Sequence, residues 1–123
     1  MLTARTEIYL HDRPDISEAI RRLQAFEQAG ADVLFAPGVT KREEIEALVR
    51  AVNRPVNVLA GIPLGLTVDE LTNIGVKRIS IGGALCRVAT AALFRAAREL
   101  HDHGTFRFLE DAMPSKELNP MLL

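Results

Sequence analysis

The sequence has one cysteine, no tryptophan and almost no excess of either charge, with a formal net charge of −1 at pH 7. A single cysteine excludes an internal disulfide framework and favours a reducing, cytoplasmic location. The balanced charge gives no electrostatic signature of binding to nucleic acid or to an anionic membrane. No run approaches the roughly 20 apolar residues of a membrane span, and the opening residues do not resemble a signal peptide. We therefore expect a cytoplasmic protein with neither nucleic acid nor a membrane as partner.

What the chain contains instead is a regular alternation of strand and helix patterns. Hydrophobic residues make up 48% of its 123 residues and charged residues 25%, which is typical of one globular domain with a core. An apolar strand opens the chain, and three more lie between helix patterns at residues 14–30, 40–55, 67–75 and 83–104. A strand-helix unit repeated four times predicts parallel strands joined by right-handed crossovers.

The helix boundaries follow from short local signals. Three helix starts carry the three-residue spacing of a capping box, in which an acceptor side chain precedes a glutamate. Glycines at three helix ends supply the left-handed residue that commonly stops a helix. The start pairs are Asp15–Glu18, Thr40–Glu43 and Thr67–Glu70, and the glycines are Gly30, Gly75 and Gly104.

The polarity of the strands distinguishes between two parallel architectures. Residues two apart on a strand share a face, and three of the four strands have one polar and one apolar face. The polar faces carry Thr3, Arg5 and Glu7, then Asn57, then Arg78 and Ser80. An open doubly wound sheet is covered by helices on both faces, whereas a (β/α)8 barrel is covered only outside. The pattern therefore favours a barrel.

The chain length corresponds to only part of a barrel. A (β/α)8 barrel usually takes about 250 residues and eight strands. We therefore predict an α/β fold of four consecutive βα units with parallel strands, a half-barrel spanning residues 1–104. Residues 105–123 form an apolar C-terminal helical tail that we expect to pack on a partner subunit.

Four segments resemble the isocitrate lyase/phosphoenolpyruvate mutase superfamily, and most closely its phosphonomutase-like members. They are ARTE at 4–7, AGADVLFAPG at 29–38, RPVNVLAG at 54–61 and GVKRISIGGAL at 75–85. The tail GTFRFLEDAMPSKELN continues the resemblance, which implies strands five to eight of a (β/α)8 barrel. It also implies lyase or mutase chemistry on C–C or C–P bonds of small α-keto or α-hydroxy acids, with Mg²⁺ as cofactor.

The resemblance does not extend to the strands that carry the family's Mg²⁺ ligands, nor to its catalytic loop. We therefore expect neither a catalytic residue nor a metal ligand in this chain. It would keep part of a carboxylate or phosphoryl clamp and be inactive alone.

Arg5 is the strongest candidate for substrate binding. Its guanidinium suits bidentate recognition of a carboxylate or phosphate, and it matches the arginine of the family's ARTE motif. The alternative is a structural ion pair with Glu7, which we also name as a site residue that could orient Arg5.

Three further positions complete the predicted site. Asn57 and Ser80 fall on strands that line the pocket in relatives, although single polar residues in barrels often only satisfy their neighbours. Gly82, before the last helix, could present a free N–H to an anion or simply form a tight turn. We expect Arg78 to be structural and Cys86 to be an inert core thiol.

Alternative functions remain open from the sequence. One is a non-catalytic half-barrel that serves as a binding or assembly module. A CheY-like receiver is a weaker option, because the first strand offers Glu7 as its only acid. Since the outer strands of a half-barrel would have unpaired edges, we expect a homo-oligomer, pairing with an N-terminal half, or a swapped assembly.

Overall fold

The four predicted strands form one parallel sheet with the order β1-β2-β3-β4 in a computed structural model that describes residues 1–11 and 14–122. Leu123, the last residue of the predicted tail, lies outside the described residues. The strands are β1 (Thr3–Arg5), β2 (Val33–Phe35), β3 (Val56–Leu59) and β4 (Arg78–Ser80). The helices are α1 (Ile16–Gln28), α2 (Arg42–Ala51), α3 (Val68–Ile74), α4 (Ala84–His103) and α5 (Ser115–Leu118). Short 3₁₀ turns lie at Ile8–His11, Arg107–Asp111 and Asn119–Met121.

The strand register places the predicted polar residues on one face of the sheet. Arg5 is the register partner of Phe35, Phe35 of Asn57, and Asn57 of Arg78. Register partners in a parallel sheet point to the same side, so these four side chains form one row across all four strands. The predicted polar face is confirmed for Arg5, Asn57 and Arg78. The placement of Glu7 on the first strand was wrong, because β1 ends at Arg5.

The sheet curves strongly around this polar face. Arg78 on β4 donates a hydrogen bond from Nη1 to Oγ1 of Thr3 on β1, at 3.2 Å. Strands β1 and β4 are three strand spacings apart, or about 14 Å in a flat sheet, which is too far for an arginine and a threonine to bridge. The polar face is therefore concave, and the structural role of Arg78 stays a prediction.

The core lies on the opposite, convex face of the sheet. Leu34 and Val58 point to this side, where they pack with buried residues of α1, α2 and α3 such as Leu23, Ile45 and Leu71. Burial of a leucine or isoleucine side chain contributes about 1.5–3 kcal/mol, so this layer is what holds the sheet to its helices.

At two of the three predicted helix starts, the predicted N-cap side chain accepts a hydrogen bond from the backbone of the first turn. Thr67 and Glu70 form the complete capping box of α3, which ends at Gly75 in the left-handed conformation. Asp15 accepts the Glu18 N–H at the start of α1, but the Glu18 side chain turns to arginines of its own helix. The third prediction was wrong, because Lys41 precedes α2 without a side-chain cap and Thr40 lies one residue outside.

The chain divides into two compact units, Met1–Ala84 (unit 1) and Leu85–Leu123 (unit 2). Helix α4 therefore groups with the tail, whereas the prediction assigned it to residues 1–104 with the strands; that domain assignment stays a prediction. No described residue of unit 2 is buried. Cys86 is exposed, so its prediction as a core thiol was wrong, because α4 buries no side chain within the chain. None of the described helices combines the length and the hydropathy that a transmembrane span requires.

Candidate functional site

The carboxyl end of β1 carries the pair that the sequence singled out. Glu7 follows the strand by two residues, and its Oε1 contacts both Nε and Nη2 of Arg5. The two side chains are 51% and 41% exposed, so the ion pair is solvated and contributes little to stability. Its effect is to orient the guanidinium, since one edge is occupied by the carboxylate and the remaining N–H groups are left to bind something else.

Phe35, on the neighbouring strand, packs its ring against one face of the same guanidinium. The Arg5 Cζ lies over the Phe35 ring, 5.4 Å from its centroid, which is within the range of a cation–π contact. The sequence did not identify Phe35, because β2 is apolar on both faces and does not distinguish a site residue from a core residue. Only the pairing of β1 with β2 brings Phe35 to the face of Arg5, and the sequence does not specify that register.

Asn57 and Ser80 form a second pair further across the concave face. Asn57 is only 3% exposed, and its Nδ2 donates to Ser80 Oγ at 3.0 Å. The Ser80 hydroxyl in turn donates to the Val58 carbonyl at 3.4 Å. Within the described residues, Asn57 Oδ1 has no hydrogen-bond partner. A buried carbonyl oxygen without a donor is costly, so this position is suited to accept a hydrogen bond from a bound molecule or a water.

Gly82 lies just beyond β4 and acts as a turn. Its φ is +52°, in the left-handed region that glycine adopts without strain, and it precedes α4 by two residues. A Cβ at Gly82 would lie 3.7 Å from Leu59 Cδ1, an ordinary contact, so the backbone conformation and not crowding favours glycine here. The alternative prediction, an anion-binding N–H, is not tested by this geometry.

Four of the five predicted site residues fall into two contact groups. Arg5 contacts Glu7 and Phe35, and Asn57 contacts Ser80. Phe35 and Asn57 are register partners between the two groups, and Gly82 belongs to neither. A small open concavity of about 230 Å³ adjoins Glu7 and is also lined by His11 and Arg22.

A second, larger concavity lies wholly within unit 2. This open groove of about 540 Å³ is lined by α4 and the 3₁₀ turn after it, including Arg95, Glu99 and Arg107. Glu99 is not free to bind a ligand there, because its carboxylate accepts bonds from Thr105 Oγ1 and from the Arg107 and Phe108 N–H groups. These bonds, led by that from Thr105, lower the pKa of Glu99.

The described part of the chain brings together no cluster of metal-ligating side chains. Among residues 1–11 and 14–122, no three histidine, cysteine, aspartate or glutamate side chains come together to hold an ion. Glu7, an acid of the candidate site, is already paired with Arg5.

The chain matches the family model described as phosphoenolpyruvate phosphomutase over residues 1–101. The structure of a candidate lyase/mutase from Burkholderia cenocepacia J2315 is 52% identical, with a TM-score of 0.92 over 98% of this chain. An oxaloacetate decarboxylase of Paraburkholderia xenovorans (strain LB400) is 36% identical over 104 residues, or 84% of this chain. Phosphonopyruvate hydrolase, crystallised with oxalate and Mg²⁺, is 26% identical, with a TM-score of 0.72 over 91% of this chain.

The chain spans less than half of each of these relatives. It covers 44% of the Burkholderia protein, 34% of the oxaloacetate decarboxylase and 41% of the phosphonopyruvate hydrolase. The family resemblance predicted from the four motifs is confirmed. So is the fold class, because the parallel βα units and the C-terminal helical region superpose on a family structure.

Proposed function

Because the chain belongs to the phosphoenolpyruvate phosphomutase family, we propose that it supplies part of the substrate clamp of a lyase or mutase. The substrates would be small α-keto or α-hydroxy carboxylic acids or phosphonates, whose C–C or C–P bonds such enzymes make or break. The observation that carries the proposal is the half-exposed Arg5 guanidinium on the concave face, fixed by Glu7 on one edge and by Phe35 on one side.

The geometry of Arg5 suits an oxyanion. A guanidinium presents planar N–H pairs that match two oxygens of a carboxylate or phosphonate, and such charge-assisted bonds are strong. With Nε and Nη2 turned to Glu7, the Nη1 side faces no acceptor among the described residues. Its exposure allows a ligand to reach it without rearrangement of the core.

Asn57, Ser80 and Gly82 complete the proposed clamp. Asn57 Oδ1 is buried and has no hydrogen-bond partner among the described residues. Once the side chains that cover it shift, it would accept a hydrogen bond from a hydroxyl or enol of the ligand, with Ser80 holding the amide in place. Gly82 would bring its backbone N–H close to a second oxyanion at the end of β4. In this proposal Arg5 binds the charge and the Asn57–Ser80 pair orients the remainder of the molecule.

We further propose that the chain alone does not turn over substrate. Mg²⁺ accompanies oxalate in the related phosphonopyruvate hydrolase, and it would stabilise negative charge on an enolate-like intermediate. Since the described residues offer no metal site, its ligands and the acid-base groups would come from another polypeptide segment. The single cysteine supports our placing the protein in the cytoplasm.

Calorimetric titration with oxalate tests the clamp. We expect binding by the wild-type chain, and roughly ten- to a hundredfold weaker binding for Arg5→Gln, because a hydrogen-bonding charge is lost. Arg54→Gln is the matched control. Arg54 is an exposed arginine just before the amino end of β3, whereas the candidate site lies toward the carboxyl ends of the strands. Equal binding by both variants, or no binding by the wild type, would contradict the proposal. Turnover of oxaloacetate with Mg²⁺ by the wild-type chain would contradict the claim that it is inactive alone.

Assembly is the second candidate function, supported by the exposed apolar residues of unit 2. Leu85, Leu93 and Phe94 of α4 are 61–71% exposed, which is unusual for side chains of this size. We propose that a second copy or an N-terminal half-barrel covers them, as the alternative of a non-catalytic assembly module requires. Light scattering should then show a mass above that of one chain, reduced by Leu93→Glu but not by Glu110→Gln. A monodisperse wild-type monomer would exclude self-assembly.

A further inference from the structure

Phe35 is a buried aromatic residue that lies beneath an exposed cation. It is 9% exposed and occupies the centre of the concave face, level with Arg5 and Asn57. A side chain that only filled space at this position could be any large apolar residue. An aromatic ring differs from these in having a negative face, which attracts a cation placed over it.

Two contacts together restrict the Arg5 guanidinium. Glu7 engages Nε and Nη2, which fixes rotation of the group in its own plane, and the Phe35 ring lies 5.4 Å below Cζ. A long side chain that is half exposed would otherwise lose considerable rotamer entropy on binding a ligand. A guanidinium that is already held on one edge and one face loses less rotamer entropy on binding, so its affinity for an oxyanion is higher.

We propose that Phe35 is a positioning residue, which holds Arg5 so that its Nη1 side faces the concave hollow and meets an oxyanion there. The inference rests on the proposed function for its ligand but not for its geometry. Strand β2 has no polar side chain, and through Phe35 it would still take part in ligand recognition. The oxyanion would meet the free Nη1 edge in the plane of the guanidinium, since Glu7 occupies the other edge and the Phe35 ring covers one face.

The electrostatic part of this role is separable from packing by fluorination. We would replace Phe35 alone with 4-fluoro-, 3,5-difluoro- and 3,4,5-trifluorophenylalanine, which keep the ring and progressively weaken its negative face. The expected result is a stepwise weakening of oxalate binding, about two- to fivefold at the end of the series. The same series at Phe106, an exposed residue of unit 2 to which no binding role is assigned, is the control and should leave binding unchanged. Unchanged affinity across the Phe35 series would overturn the inference.

A double-mutant cycle tests whether Phe35 acts through Arg5. Phe35→Leu should weaken oxalate binding in the wild-type background and have no further effect in Arg5→Gln. An equal effect in both backgrounds would identify a purely structural role and overturn the inference. Thermal unfolding of each variant identifies any loss of fold, and the fluorinated chains still decide the question if Phe35→Leu does not fold.

A ligand-free measurement separates this inference from the proposed function. The Arg5 Nε–H proton should show a ring-current shift in the NMR spectrum of the wild-type chain, and the shift should vanish in Phe35→Leu. An identical Nε–H resonance in both chains would overturn the positioning role even if oxalate binds. A lost shift without oxalate binding by any chain would support the positioning role and overturn the clamp.

Discussion

The two units of the chain differ in how far they bury their apolar side chains. Unit 1 buries Leu23, Leu34 and Ile45 completely between its sheet and helices. Unit 2 has no buried residue among those described, and its 20-residue helix α4 exposes Leu93 and Phe94. Both units have ordinary local structure, so the difference lies in tertiary packing alone.

This difference indicates that the two units depend on their surroundings to different degrees. A parallel sheet covered by three helices can supply its own hydrophobic stabilisation, because the apolar faces meet within 84 residues. A helix followed by short turns cannot, since most of the stability of a helix in a protein comes from packing its apolar face. Unit 1 carries the candidate site, and unit 2 carries the surface that we expect a partner to cover.

Matched leucine truncations should give the largest contrast between the units. Leu34→Ala in β2 removes a fully buried side chain and should cost about 2–5 kcal/mol of unfolding free energy. Leu93→Ala in α4, where the side chain is 68% exposed, should change it by less than about 0.5 kcal/mol in dilute solution. Urea titration, monitored through hydrogen exchange of the strand amides, measures the unfolding free energy of both variants. Equal losses would show that unit 2 contributes to the core.

Helix capping offers a smaller test within unit 1. Thr67→Ala removes the capping box of α3 and should destabilise unit 1 by about 1 kcal/mol. Thr40→Ala is the matched control, because Thr40 makes no cap at the start of α2 and should have a much smaller effect. The comparison is made by urea unfolding. A larger loss from Thr40→Ala would mean that α2 begins one residue earlier than described.

The smallest expected effect concerns the turn that follows α4. The lowered pKa of Glu99 means that its charged form is favoured in the folded turn, first by the Thr105 hydroxyl and then by the Arg107 and Phe108 N–H groups. Its contribution is therefore present above the unfolded pKa and lost as the pH falls through the lower folded pKa. The Arg107 and Phe108 amides should exchange hydrogen more quickly in Glu99→Gln than in the wild-type chain. In the wild-type chain they should also exchange more quickly in acid, after correction for intrinsic exchange rates.

Glu110→Gln is the control and should exchange like the wild type. Equal protection in the wild type, Glu99→Gln and Glu110→Gln would contradict the assignment.

The fold was predictable where short signals and tertiary structure agree. The Thr67–Glu70 spacing and Gly75 predicted both ends of α3, because a capping box and a left-handed stop are local. Thr40 shows the limit, since the same spacing is present and Lys41 precedes the helix instead. Cys86 shows a second limit: an apolar helix predicts burial, but only the presence of an opposing surface decides it.

The candidate site was predictable to the extent that it depends on alternation along one strand. Arg5 and Glu7 share a face by spacing, and the structure brings them into contact. Asn57 and Ser80 were named separately, but their hydrogen bond depends on the register of β3 with β4, which the sequence does not specify. Phe35 was missed for the same reason, since its part is visible only once β1 and β2 are paired.

The most direct test is an NMR titration of the full chain with oxalate, because both units carry arginines that an anion could meet. We predict saturable shifts at Arg5, Phe35, Asn57 and Ser80 on the concave face of unit 1, with no change at Arg95 or Arg107 in the groove of unit 2. Shifts confined to that groove, or none in either unit, would contradict the assignment of oxyanion recognition to the concave face.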